Sequence, residues 1–306
     1  MAFTSKDVMA LREKTGVGMM DCKKALAESD GDMEKAIDYL REKGLAKQAK
    51  KASRVAAEGM AYATVNYDKK VGVVVEVNSE TDFAAKSDKF VEFVKEIADV
   101  IINENPADVD ALLAASMNGQ TVADVLRDKV MVIGENLSIR RFVRYEGDCV
   151  AYVHGGGRIG VLVKFEADAA ASGSAALIEC GKDVAMQIAA LNAPYLDEAS
   201  VPAEVVEHEK EVQLSLIKND PKNANKPEMV LEKMITGKMR KYFEENCLVN
   251  QAFVKNGELT VGQYVEQQAK VAGGAMALTA FVRFEKGEGI EKREDDFASE
   301  VASMVK

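Results

Sequence analysis

Two histidines, His154 and His208, and four cysteines, Cys22, Cys149, Cys180 and Cys247, are the side chains from which an imidazole triad, a redox pair or a zinc site would be built. No two cysteines stand closer than 31 residues, so no CxxC spacing exists and reduced, packed thiols are expected. Gly155, Gly157 and Gly160 spell GxGxxG, and the segment from His154 to Gly157 mimics the oxyanion-hole strand of esterases. A dinucleotide turn must open a helix, whereas a β-branched strand follows here, which makes the glycines a hairpin turn. No GxSxG nucleophile elbow and no GxxxxGK[ST] loop occur. The chain is therefore expected to bind no nucleotide itself and to need no cofactor or metal, and an enzyme is the weaker reading.

Other candidates are built for contact. Thr81-Asp82-Phe83 places a carboxylate and a large aromatic in the turn between a strand and a helix. One reading has Asp82 capping the turn while Phe83 staples the helix to the sheet. The other has the carboxylate disturbing a metal-centred phosphate site while Phe83 wedges into an apolar slot. Met19-Met20 lies between two helical runs, either filling a gap or forming an adaptable recognition surface. His154 is a strand-end histidine with a structural or a contact role, and His208 in a charged helix is expected to face solvent. Lys43 to Arg54 holds five basic and no acidic residues and reads as a solvated linker helix or as a contact for RNA or an acidic partner.

The elements that position these residues follow from an internal repeat. Residues 60–77 align with 148–165 at an offset of 88, so that Val71-Gly72-Val73 meets Ile159-Gly160-Val161. Arg141 to Glu146 aligns with Arg283 and its neighbours at an offset of 139, which implies a 51-residue insertion in the second copy. Thr81, Asp82 and Phe83 meet Ala169, Ala170 and Ala171, so the second copy lacks them. Each copy opens with two β-rich runs joined by a short turn, a hairpin signal. Phe90, Val94, Ile97 and Ile101 then mark a helix capped by Ser87. Each copy ends in a strand, giving an α+β unit with a largely antiparallel sheet and helices on one face. Residues 1–44 read as a three-helix bundle, the insertion as an antiparallel helical hairpin, and Phe297 to Val305 as a short helical tail.

The chain has 306 residues, 47% of them hydrophobic, enough for two domains with sizeable cores. Its net charge of −10 disfavours DNA or any other phosphate backbone as a partner of the whole molecule, though not of a local basic patch. No apolar run reaches a bilayer span and the start, Met1 to Lys6, has no long apolar segment behind a basic one, so a cytoplasmic location without membrane contact is expected. A scaffold or RNA-associated protein using the basic linker and helical arm is the alternative that these features leave open.

Six segments carry a resemblance: LREKTGVGMMDCKKAL (Leu11 to Leu26), EVNSETDFAAK (Glu76 to Lys86), IGENLSIRR (Ile133 to Arg141), HGGGRIGVLV (His154 to Val163), TVGQ (Thr260 to Gln263) and GEGIEK (Gly287 to Lys292). Together they resemble the bacterial elongation factor Ts family, guanine-nucleotide exchange factors for the translational GTPase elongation factor Tu. The resemblance implies a UBA-like bundle and basic linker over 1–54, core subdomains over 55–146 and over 147–200 with 251–286, a coiled-coil arm over 201–250, and a C-terminal module over 287–306. It implies that Thr81, Asp82, Phe83 and Ala84 dislocate magnesium in the partner, and that Met19, Met20, Ile133 and His154 touch it. Position 84 is often Val in that family, so Ala84 keeps the backbone but offers less apolar contact. The arm in such proteins mediates self-association or stays free.

Overall fold

The computed structural model describes residues 3–223 and 226–291. The chain opens with α1 (Ser5–Thr15), α2 (Met19–Glu28) and α3 (Met33–Lys51) around a core of Val8, Leu11, Cys22, Leu26, Ala36 and Leu40. Asp32 caps α3 by accepting the N–H groups of Glu34 and Lys35. The third helix does not stop near Gly44, where the sequence suggested the bundle's end. A Cβ at Gly44 would sit 3.0 Å from the Met131 sulfur, so the glycine marks a close crossing against a later helix and not a break. Residues 43–51, nine of the twelve in the expected linker, are thus the last turns of α3.

Next come β1 (Glu58–Asn66), β2 (Val71–Ser79), the single turn α4 (Asp82–Ala85), α5 (Asp88–Glu104), α6 (Val109–Ala114), β3 (Ser116–Met117), β4 (Gln120–Thr121), α7 (Val122–Ile133) and β5 (Leu137–Glu146). The chain then repeats the theme in β6 (Asp148–His154), β7 (Ile159–Ala167) and α8 (Ala175–Leu191). Two helices follow, α9 (Ala203–Asn219) and α10 (Glu228–Asn246), before β8 (Ala252–Phe253), β9 (Asn256–Thr260), α11 (Val261–Ala272) and β10 (Met276–Glu285). The α9–α10 pair is closed at its base by Tyr195, whose N–H donates to Asn246 O while its carbonyl accepts from Leu248 N. Among the described residues no helix is long and apolar enough to cross a membrane.

The architecture is α+β, with small antiparallel sheets ordered β1-β2-β5 and β6-β7-β10. On β2, Val73, Val75 and Val77 face α5 and its neighbours, while Val74 faces the other sheet. The two sheets meet through Ala61, Ala63, Val74, Cys149, Leu162 and Phe284. This explains why β2 is buried throughout: helices cover one face and the second sheet covers the other. Gly72 and Gly160 permit the approach, since a Cβ on Gly160 would lie 3.0 Å from the Ala61 backbone.

Repetition extends beyond the hairpins. Ser87 and Ser174 cap α5 and α8, and both helices end at asparagines in the left-handed region, Asn105 (φ 49°) and Asn192 (φ 48°). Thr121 and Thr260 cap α7 and α11 in the same way. The hairpin strands β1–β2 and β6–β7 repeat at 88 residues but α5 and α8 at 87, so the first copy carries one extra residue between Ser79 and Ser87. That extra residue falls in the segment containing Thr81, Asp82 and Phe83.

A carboxylate lies between the sheets, with Arg141 against it. Glu76 is fully buried and accepts hydrogen bonds from Gly287 N (2.7 Å), Arg141 Nε (2.6 Å), Asn78 Nδ2 (3.1 Å) and Arg140 Nη1 (3.0 Å). Burial pushes its carboxyl up, but these donors outweigh it and hold the group below the ordinary range. The clasp ties the chain leaving β10 to the first sheet, and Gly287 (φ 70°) is required because a Cβ there would lie 2.0 Å from Ala57 O. The expected tail from Phe297 to Val305 lies outside the described residues.

Candidate functional site

Strand β2 runs directly into the turn that carries the candidate residues. Ser79 Oγ donates to Thr81 O at 3.0 Å, and Thr81 Oγ1 caps α4 by accepting the Ala84 N–H at 3.2 Å. Ala84 and Ala85 are buried, so the short helix lies with its small residues inward and Phe83 outward. Phe83 is 85% exposed. The reading in which it staples the helix to the sheet is thereby overturned, and the capping residue is Thr81, not Asp82. Asp82 projects beside Phe83, and its carboxylate accepts from Lys86 Nζ at 2.6 Å. That hydrogen bond, with the ammonium charge behind it, holds Asp82 below the usual carboxylate value. The Ala84 side chain faces the protein's own interior.

A four-residue helix cannot hold itself, because nucleating a turn costs more than its few hydrogen bonds return. The support comes from the loop after α7, where Gly134 (φ 86°) ends the helix. Asn136 N donates to Glu80 Oε1 at 2.6 Å, while Glu135 accepts Thr81 Oγ1 at 2.6 Å and Thr81 N at 3.0 Å. The same loop receives the end of the N-terminal bundle, since Lys51 Nζ donates to Gly134 O and Asn136 Nδ2 donates to Arg54 O. Lys51 and Arg54, two of the five basic residues in the Lys43 to Arg54 run, are thus engaged within the molecule; Arg54 also pairs with Glu80 at 3.4 Å.

Sequence reasoning missed Glu80 and Glu135, although both lie in segments that carried the resemblance. Their partners stand 56 and 54 residues away, beyond the reach of any local pattern. The 139-residue offset was the available signal, because it pairs Gly134 with Gly273 and Glu135 with Gly274.

The remaining candidates are dispersed. Met19 and Met20 are the first residues of α2 behind Gly18, not loop residues, and Met20 is 75% exposed. Ile133 closes α7, half-buried against the first core. His154 is exposed at the end of β6, its Nδ1 3.0 Å from the Tyr152 hydroxyl. Gly155, Gly156 and Gly157 all have positive φ in a tight turn that leads into β7, with no helix at their end. This turn and Asp82 share one end of the sheets. Ala61 N donates to Gly157 O, Lys286 N donates to Arg158 O, and the Lys286 ammonium contributes to holding the Asp82 carboxyl down. At the bundle side, Gly16 lies against Val132, two residues before the Gly134 loop. The arrangement is a distributed contact surface with protruding side chains, suited to a macromolecular partner and not to a small substrate.

A family profile described as Elongation factor TS matches residues 80–288. Elongation factor Ts of Clostridium perfringens (strain 13 / Type A) is 48% identical over 305 residues, covering 98% of both chains. That of Clostridioides difficile (strain 630) is 48% identical over 306 residues, 99% of each. The chain belongs to the elongation factor Ts family. Elongation factor Ts of Trichlorobacter lovleyi extends the likeness, at 46% identity across all of this chain and 99% of its own length. The family match begins at Glu80, beside the exposed turn, and ends at Glu288 in the clasp around Glu76. The relatives' coverage adds the N-terminal helices.

Proposed function

We propose that this chain, as an elongation factor Ts, exchanges guanine nucleotide on elongation factor Tu by pressing the turn Thr81 to Ala84 against the magnesium and phosphate end of the GTPase's nucleotide site. The observation that carries this reading is Phe83, a large aromatic held almost wholly in solvent on a buttressed turn. An exposed Phe on a rigid support is a preformed anchor, and its burial in a partner is worth about 2 kcal/mol, or about thirtyfold in an equilibrium constant. Asp82 beside it brings a negative charge towards a metal-bound phosphate, which weakens the metal's hold.

The chain is an exchange factor and not an enzyme, because every bond it breaks is non-covalent. A factor that binds the nucleotide-free GTPase more tightly than its GDP complex must weaken GDP binding by the same ratio. GTP then loads by mass action. Met19 and Met20, Ile133 and His154 serve as further contacts: the methionines through adaptable apolar surface, the others near the core and the partner's phosphate-binding region.

In this reading residues 1–54 are the UBA-like bundle with its basic extension, and 55–146 and 147–200 with 251–286 are two related core subdomains. Residues 201–250 are a coiled-coil arm for contact, and 287–306 a C-terminal module. The working location is the cytoplasm, with translation. The test is GDP affinity of elongation factor Tu measured against increasing concentrations of this protein. The reading requires GDP affinity to fall, and affinity for this protein to fall by the same factor when GDP is added. GDP affinity that stays constant at saturating protein contradicts it.

A further inference from the structure

We propose that Glu135 is a positioning residue for exchange: its carboxylate, gripping Thr81, holds Phe83 and Asp82 in the orientation that enters the partner. The inference rests on the exchange role of the turn and adds the group that sets its geometry.

The chemistry of the grip is directional. A carboxylate only accepts, so the Thr81 hydroxyl must point its hydrogen at Glu135 Oε1, 2.6 Å away. This leaves an oxygen lone pair for the Ala84 N–H, and Glu135 thereby sets the rotor of the hydroxyl that caps α4. Glu135 Oε2 takes the Thr81 N–H at 3.0 Å, fixing the backbone at the point where β2 becomes the turn. One side chain thus orders both the entry and the cap of a helix too short to order itself. Phe83 is the second residue of that helix, and its outward direction follows from the helix axis.

The second copy separates what the fold needs from what exchange needs. Asp168 there accepts the N–H of Ala275 at 2.7 Å, the counterpart of Glu80 accepting that of Asn136 at 2.6 Å. This strand-to-loop clamp is shared and belongs to the fold. The Glu135 grip is not shared. Its counterpart is Gly274, where a Cβ would lie 2.2 Å from Asp168 Oδ1, and the segment it would hold contains only Ala169, Ala170 and Ala171. The grip occurs in the copy with the protruding aromatic, in the segment that is one residue longer.

The test is release of a fluorescent GDP from elongation factor Tu across a range of concentrations of the full chain, which separates the maximal rate from the half-saturating concentration. Variants are Glu135→Ala, Glu135→Gln and the pair Asp82→Ala with Phe83→Ala. The proposal predicts an about tenfold lower maximal rate for Glu135→Ala with a half-saturating concentration little changed, the pattern of a misplaced reactive group. Glu135→Gln keeps one acceptor and falls between Ala and the parent. Hydrogen exchange speeds up at the Thr81 and Ala84 amides while the thermal midpoint stays close to that of the parent, which a general loss of fold would not produce. If Glu135→Ala does not fold, Glu135→Gln carries the same comparison. Parental kinetics in both Glu135 variants, with the Asp82/Phe83 pair impaired, overturn the inference and leave the role of the turn standing. Parental kinetics in every variant overturn both.

Discussion

The Glu135 carboxylate accepts both the hydroxyl of Thr81, at 2.6 Å, and its backbone N–H, at 3.0 Å. Two segments 54 residues apart are joined there, and the joint lies one residue from the loop carbonyl that receives Lys51 from the N-terminal helices. The exposed turn is therefore part of a braced corner where the bundle, the loop after α7 and the end of β2 converge.

Phe83→Ala should leave stability nearly unchanged, within about 0.5 kcal/mol, because the ring makes little use of the fold. Chemical denaturation of parent and variant checks this. A loss of several kcal/mol would mean that the ring packs inward.

Glu76→Ala should destabilise by about 2 kcal/mol, less than a fully buried pair because Arg140 and Arg141 both reach solvent. The pH dependence has a definite sign. The folded carboxyl lies below its ordinary value of 4.5, so its contribution is complete above that pH and is lost as pH falls through the folded value. Glu76→Gln should accordingly flatten the acid limb of the stability profile below its ordinary value of 4.5. An unchanged limb would mean that other carboxylates govern acid unfolding.

Gly72→Ala tests the face-to-face contact of the sheets. The added Cβ would stand 2.6 Å from a Leu162 methyl and 2.7 Å from the Cys149 Cβ. Overpacking of this kind costs about 1–3 kcal/mol. A neutral result in urea unfolding would show that the sheets are further apart.

The thiols should be silent in the folded protein. Burial pushes Cys149 and Cys247 up to about 11 and Cys180 up to about 12, and Cys22 is raised as well. A chromogenic disulfide at about pH 8 should titrate no thiol rapidly without denaturant and all of them with it, since the thiolate is the reacting species. Rapid reaction of one cysteine in the native state would contradict its burial.

Apart from the repeat at 88 and 139 residues, what the sequence made legible was local. The hairpin turns, the Ser87 cap and the apolar face of α5 each lie within a short window, and all appear in the structure. Gly44 misled because a glycine in a helix also marks a close helix crossing, here against Met131 and Arg127. Phe83 was visible as a candidate, but its direction depends on Ala84 and Ala85 packing inward and on Glu135 reaching back across the fold. The clasp on Glu76 was hidden for the same reason, since Gly287 is 211 residues away. A lone acidic residue within the valine-rich β2 was its one local trace.

The central claim is that the exposed turn releases nucleotide from the partner GTPase. Stopped-flow release of a fluorescent GDP from elongation factor Tu, with the parent chain or with the chain carrying Asp82→Ala and Phe83→Ala, tests it directly. The account predicts rapid release with the parent and loss of most of that acceleration with the folded double variant. Equal acceleration by both would contradict it.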